Sequence, residues 1–176
     1  MRCVALILLV LPALSYSDAF GELEAFAENG NAEAQYYVGY GYIKGIYRNV
    51  DIPKGIHFYE LSAAQKFPRA LYQLGLHYMI GAGVEQNAEK GGEFFVEAAK
   101  QGHERASLDA CVFYHLQKRD PENAAVWCYV ARKRNPKDDK GSIKTMLKKI
   151  EPALSREEKK NARNLAKIIL DSFNGT

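Results

Sequence analysis

Hydrophobic and polar positions along this chain repeat with an interval of 36 residues. Within each interval, apolar residues recur three and four positions apart in two separate segments, which predicts two amphipathic helices per interval. Two sets of matching residues mark the interval: Ala34, Ala70 and Ala106, and Tyr42, Tyr78 and Tyr114. A fixed period of this length predicts an all-α fold, a right-handed α/α solenoid of stacked helix-turn-helix units.

Glycines recur inside the predicted first helix of each unit, at Gly39 and Gly75. Glycine inside a helix costs about 1 kcal/mol relative to alanine, so its repetition needs a packing reason. We expect a second helix to approach closely at these points and to place aromatic residues opposite them. Gly45 and Gly81 follow the same helices and are expected to end them in the left-handed conformation.

The repeated residues follow the pattern Ala-x-Tyr-x-(Leu/Val)-Gly-x-x-Tyr-x-x-Gly, beginning at Ala34 and again at Ala70. This pattern resembles the Sel1-like repeat, a relative of the tetratricopeptide repeat. The resemblance implies a repeat region over 18–135, with units at about 34–69, 70–105 and 106–135. The third unit departs from the pattern because Cys111 replaces the glycine and its connecting loop is shorter.

Two further helices are predicted after the repeats, within 136–176, and we interpret them as a C-terminal capping pair. One is expected over Ser142–Ile150. The other opens with a capping box, Ser155 to Glu158. Its apolar residues should face the rest of the fold; they are Leu165, Ile168, Ile169 and Phe173.

The first residues have the composition of an export signal, which we assign to 1–17. Arg2 precedes an apolar stretch at Val4–Leu14, and small residues at Ser17 and Ala19 suit cleavage at either point. The apolar stretch is too short to span a membrane, so we expect no stable membrane insertion. The sequence thus predicts a periplasmic or secreted protein.

The overall charge gives no indication of nucleic acid binding. The formal net charge is +3, of which the predicted signal carries one unit. Basic residues gather late in the chain, between Arg132 and Lys160, but acidic residues lie among them. We interpret this run as a solvated helix surface.

Residues suited to catalysis or metal binding are not grouped in the sequence. The four histidines lack the spacing of a helical metal site, and no serine is followed at the third position by lysine. We expect no cofactor, no metal and no enzyme activity. The resemblance places Cys111 and Cys128 at facing positions of one hairpin, where they either form a disulfide or remain two small buried residues.

The variable positions of the first helices are the candidate partner-binding groove, on the concave side that the resemblance implies. They form one stripe per unit: Tyr37, Tyr40 and Lys44, then Gln73, His77 and Ile80, then Asp109, Phe113 and Leu116. Rings with a few polar groups suit a protein partner. The alternative is that Tyr37, Tyr40 and Phe113 fill the core.

The resemblance implies a scaffold function. We therefore expect an exported, non-catalytic adaptor that binds a protein, or an extended peptide segment, of the cell envelope. Two alternatives stay open: an enzyme acting on cell-wall or β-lactam compounds, and a secreted effector that binds a host protein.

Overall fold

The computed structural model describes residues 16–46, 48–136 and 141–173. These residues form nine α-helices and no strand, which confirms the all-α prediction. Residues 1–15, most of the predicted export signal, lie outside the described part. The helices are α1 (Tyr16–Glu28), α2 (Ala32–Lys44), α3 (Ile52–Ala64), α4 (Pro68–Ile80), α5 (Ala88–Lys100), α6 (Ala106–Phe113), α7 (Pro121–Arg134), α8 (Ser142–Ile150) and α9 (Arg156–Phe173).

The chain divides into two compact units, residues 1–70 and 71–176. We call these ranges the first unit and the second unit, as distinct from the three sequence repeats. In the first unit, α2 packs against both α1 and α3. Its core contains one cluster of buried side chains from all three helices: Phe20, Ala27, Ala34, Val38, Tyr42 and Phe58. The first unit is thus held together by the apolar faces that the sequence predicts.

Local signals in the sequence set the ends of α2 and α3. The Asn31 side chain accepts a hydrogen bond from the Ala34 N–H at 2.8 Å and caps the start of α2. Gly45 ends the helix in the left-handed conformation, at φ +63°. Asp51 caps α3 in the same way as Asn31, and Pro53 occupies its first turn, where no N–H is needed.

The helix-interior glycines have the predicted packing reason. A Cβ atom on Gly39 would lie 2.7 Å from Cδ1 of Tyr59 and 2.8 Å from the carbonyl oxygen of Gly55. A Cβ atom on Gly75 would lie 2.6 Å from the ring of Phe95. In both units the missing side chain therefore lets the paired helix and its aromatic ring approach closely.

The second unit is built around α7, in which every residue from 124 to 131 is buried. Helices α6, α8 and α9 all pack against it. Helix α6 is short and continues into a π-helical turn, Tyr114–Lys118, which ends at Arg119 in the left-handed conformation. The third repeat, which departs from the sequence pattern, thus also has a shorter first helix than the other two repeats.

The last helix begins as predicted but presents a different face to its neighbours. The Ser155 N–H donates to the Glu158 carboxylate at 2.7 Å, and the Glu158 N–H donates to the Ser155 hydroxyl at 3.2 Å, which confirms the capping box. The predicted packing face was only partly correct, since Ile169 and Phe173 are half-buried. Ala162 and Ala166 are the buried residues of α9, whereas Leu165 is 44% and Ile168 63% exposed. Small side chains four residues apart allow a close helix contact, so they take the packing position.

Candidate functional site

The predicted groove residues of the first unit form a surface on α2, which we call the tyrosine face: Tyr37, Tyr40 and Lys44. Both rings are half-buried, and Lys44 is exposed. Tyr36, between them in sequence, is only 9% exposed. The structure therefore separates one core ring from two rings that reach the surface.

Tyr36 holds the two surface rings in position. The Tyr37 ring meets it edge-on at 5.1 Å between centroids, and the Tyr40 ring lies nearly parallel to it at 6.5 Å. Below, Tyr36 stacks on Tyr59 at 5.7 Å. The Arg69 guanidinium donates a hydrogen bond to the Tyr37 hydroxyl at 3.1 Å. The tyrosine face is thus an ordered aromatic surface with a cation at its edge.

The repeated tyrosine and lysine positions have a structural role. Lys54 Nζ lies 2.5 Å from the Tyr42 hydroxyl and 4.2 Å from the centre of its ring. In the second unit Lys90 Nζ lies 2.7 Å from the Tyr78 hydroxyl and 4.1 Å from its ring centre. The same pair therefore joins the first helix of each sequence repeat to its second helix, by a hydrogen bond and a cation–π contact.

In the first unit this pair is extended by Glu24 of α1. The carboxylate accepts hydrogen bonds from Tyr42 and, at 3.3 Å, from Lys54, and Arg48 lies 3.6 Å away. Burial alone would raise the pKa of Glu24, but these hydrogen bonds and the two cations bring it below its ordinary value. The pKa of Tyr42 is raised, by burial first and then by its bond to the carboxylate. The cluster is satisfied internally, so we assign it to stability.

The predicted groove residues of the second unit differ in accessibility. Gln73 and His77 are half-buried, and a ring nitrogen of His77 lies 2.6 Å from the Ala82 carbonyl oxygen. Ile80 is 71% and Leu116 60% exposed. These two residues remain candidates for contact with a partner.

Phe113 does not belong to a partner-binding surface, and its assignment there is corrected. Its side chain is 3% exposed. It packs on Gly92 of α5, where a Cβ atom would overlap the ring. Because the ring fills the space that this glycine leaves, Phe113 is a core residue, as the alternative reading expected.

Asp109, also predicted for the groove, is a half-buried acid. One of its carboxylate oxygens has no hydrogen-bond partner among the described residues. Burial raises the pKa of Asp109, although a hydrogen bond from Tyr72 and the charge of Arg105 act in the opposite direction. Burial together with the Asp109 carboxylate raises the pKa of Tyr72 to about 12. The carboxylate therefore reduces the stability of the second unit when it is ionised.

Cys111 and Cys128 form a disulfide that joins α6 to α7, with their Cα atoms 5.2 Å apart. Both residues are fully buried. Of the two possibilities that the sequence left open, the structure has the bonded pair. The bridge lies within one hairpin of the second unit.

The second unit also carries two open clefts that the sequence did not predict. One, of about 740 Å³, lies along α5 and the π-helical turn, with both acidic and basic residues around it. The other, of about 820 Å³, lies between α7 and α9, and we call it the basic cleft. Its lining is Tyr129, Arg132, Lys133, Arg134, Arg163, Ala166, Lys167, Leu170, Asp171 and Phe173. Several of the basic residues that gather late in the sequence line this cleft. The sequence did not predict that α7 would pair with α9, so it did not predict the cleft.

Chemistry typical of metal sites is not present in the part of the chain that the structure describes. No group of three or more histidine, cysteine, aspartate or glutamate residues lies there in an arrangement that could hold a metal ion. Across residues 16–46, 48–136 and 141–173, no helix combines the length and apolar composition that crossing a bilayer requires.

Comparison with known proteins identifies two repeats of a known family within the chain. The model of the Sel1 repeat matches residues 32–67 and 68–103. A Sel1 repeat protein from Oxalobacter formigenes is 24% identical, with a TM-score of 0.64 over 68% of this chain and 50% of the other. A protective antigen of uropathogenic Escherichia coli strains, which displays an SLR fold, is 16% identical, with a TM-score of 0.57 over 98% of this chain and 52% of the other.

These two structures support the fold, and this chain spans about half the length of each. Proteins built from Sel1 repeats are in general scaffolds for interactions between proteins. The matched residues run from the start of α2 to just beyond α5, and they contain the repeated glycines and the two Tyr–Lys pairs. Residues 32–103 of this chain therefore match two consecutive Sel1 repeats.

Proposed function

We propose that this chain is an exported, non-catalytic adaptor that binds a protein, or an extended peptide segment, of the cell envelope. The observation that carries the proposal is the tyrosine face. Its two rings reach the surface at variable positions of the repeat, while the neighbouring Tyr36 takes the core position. Packing of the first unit therefore does not require Tyr37 and Tyr40 in the way that it requires Tyr36.

The arrangement of these rings suits recognition of a partner. Tyrosine provides a large contact area, and its hydroxyl supplies a polar group that sets orientation. Because Tyr36 and Arg69 already restrict the two rings, binding loses less side-chain entropy than it would with free side chains.

Two features support the proposal of export. The apolar stretch at 4–14 with small residues after it has the composition of a signal peptide. The Cys111–Cys128 disulfide is typical of proteins that fold in an oxidising compartment. An envelope protein is the partner class that such a location favours.

The test uses a photo-reactive amino acid placed at position 37 or 40, followed by crosslinking in intact cells and identification of the bound protein. We expect one protein to be crosslinked from both positions and not from position 57, which is exposed on α3. Equal crosslinking from all three positions, or none from 37 and 40, would refute the tyrosine face as the binding surface.

Substitutions provide the matched control. Tyr37→Ala combined with Tyr40→Ala should abolish capture of that protein and change the melting temperature little. Phe26→Ala removes another exposed ring of the first unit, 51% exposed on α1, and should leave capture unchanged. Recovery of the partner at normal yield with the double variant would contradict the proposal. Recovery of the chain from the culture medium alone would refute the envelope location.

A further inference from the structure

The basic cleft differs in charge from the chain as a whole. The sequence contains 24 basic and 21 acidic residues, nearly a balance. Around the cleft there are five lysine or arginine residues and one aspartate. Such an excess within one concave surface produces a local positive potential, which attracts anionic groups.

Several of these cations have no acidic partner among the residues that the structure describes. Among the described residues, no carboxylate lies within ion-pair distance of Arg132, Lys133, Arg134 or Lys167. Arg163 reaches a carboxylate, that of Glu151 at 3.7 Å. Within the described part of the chain, four of the five cations of the cleft are therefore not neutralised by an ion pair.

Two of the arginines are already arranged around one ring. The guanidinium of Arg132 lies 5.4 Å, and that of Arg163 5.3 Å, from the centre of the Tyr129 ring. Tyr129 is 5% exposed, and its hydroxyl donates to Glu151 at 2.7 Å, so the ring is fixed. Guanidinium groups held in this way bind carboxylates in a defined geometry.

The floor of the cleft is apolar. Ala166, Leu170 and Phe173 line it, and the Arg134 guanidinium lies 4.0 Å from the centre of the Phe173 ring. Arg134 also donates to the Ala99 carbonyl oxygen at 2.8 Å, which fixes this inner cation. The cleft thus combines a cationic rim with a floor that suits an aliphatic or aromatic side chain.

We propose that the basic cleft is a second docking surface, and that its occupant is an acidic peptide segment of a partner protein with an apolar anchor residue. Acidic side chains would bind at the rim, and the anchor would cover the floor. A nucleic acid backbone would satisfy the rim but offers no side chain for the floor, so a peptide fits both features. The surface lies apart from the tyrosine face along the chain and does not depend on it.

The test measures binding of a fluorescent acidic peptide with one central phenylalanine, by anisotropy, to the oxidised protein. A peptide with Gln and Asn in place of its acids is the control ligand. We expect the acidic peptide to bind at least about tenfold more tightly, with an affinity that falls as ionic strength rises from about 0.01 M to about 0.1 M. Equal affinity for the two peptides would overturn the proposal.

Charge-reversal variants locate the site. Arg132→Glu with Lys167→Glu should weaken binding of the acidic peptide at least about tenfold. Lys144→Glu with Lys148→Glu makes the same change in net charge on exposed positions of α8, outside the cleft, and should weaken it less than about threefold. Similar losses in the two variants would mean that only net charge matters, which would refute the site.

Two other occupants are decided by the same assay. A single-stranded oligonucleotide that binds as tightly as the acidic peptide and displaces it would overturn the peptide in favour of a general polyanion surface. Peptide binding that appears only after Asp138→Asn with Asp139→Asn would mean that this chain's own acidic residues occupy the cleft. The Tyr37→Ala, Tyr40→Ala variant should bind the acidic peptide normally, so the two proposals can fail separately.

Discussion

Replacing Gly39 by alanine is the most direct test of how the repeat packs. The new Cβ atom would lie 2.7 Å from Cδ1 of Tyr59 and 2.8 Å from the Gly55 carbonyl oxygen. The Tyr59 ring is 1% exposed and stacks on Tyr36, so it has little room to withdraw. The second obstacle is backbone, so relief requires that α2 and α3 move apart.

The magnitude follows from two opposing effects. Alanine is favoured over glycine in a helix interior by about 1 kcal/mol. Overpacking a filled core costs about 1–3 kcal/mol. Because two contacts of the new Cβ atom are too short at once, we place the cost of Gly39→Ala in the upper part of that range, at about 2–3 kcal/mol. We therefore expect Gly39→Ala to lower the free energy of unfolding by about 1–2 kcal/mol.

Gly21 provides the matched control because it lies in α1 of the same unit with no atom within 4 Å of an added Cβ. Gly21→Ala should raise the free energy of unfolding by up to about 1 kcal/mol. Urea denaturation of the two oxidised variants, followed by circular dichroism, measures both values. A Gly39→Ala variant as stable as Gly21→Ala would refute the close-packing explanation of the repeated glycine.

Three further predictions concern the second unit. Cys111→Ala with Cys128→Ala should lower the free energy of unfolding by about 3 kcal/mol, the value expected for a disulfide that closes a loop of this length. In a urea denaturation series, adding reductant should not lower the stability of this double variant any further. Ser155→Ala removes the capping box and should cost about 1 kcal/mol in the same assay, whereas Ser155→Asp, which keeps the cap, should cost less. Asp109→Asn should raise the melting temperature at pH 7, because the raised pKa of Asp109 means that its ionised form is disfavoured in the folded state. That gain should shrink as pH falls towards 3.8, the ordinary pKa of aspartate, because wild-type Asp109 is then increasingly protonated in both the folded and the unfolded state. A gain in melting temperature that is independent of pH would contradict the argument.

The sequence by itself determined the repeating architecture and most of its local structure. The period of 36 residues predicted paired helices, because it is typical of repeats that each form one helical hairpin. The residues that pack against the neighbouring helix lie at equivalent positions in each repeat, so they recur. The glycine positions, the left-handed helix ends and the Ser155 capping box were also predicted correctly. Each depends on residues close in sequence or related by the repeat, so local chemistry and periodicity were sufficient.

Only the tertiary structure decided which side chains face the core and which remain available. Tyr36 and Tyr37 are neighbours of identical chemistry, yet Tyr36 fills the core because Tyr59 and Phe67 come against it from elsewhere in the chain. Phe113 is buried because Gly92 leaves space for its ring.

The last helix shows the same limit. An apolar stripe predicted that Leu165 and Ile168 would pack inward, but both are exposed, and Ala162 and Ala166 are the buried residues of α9. The basic cleft arises from the pairing of α7 with α9, two helices that are not consecutive in the chain. Periodicity identifies the face of a helix, whereas the neighbour that covers it depends on how the whole unit packs.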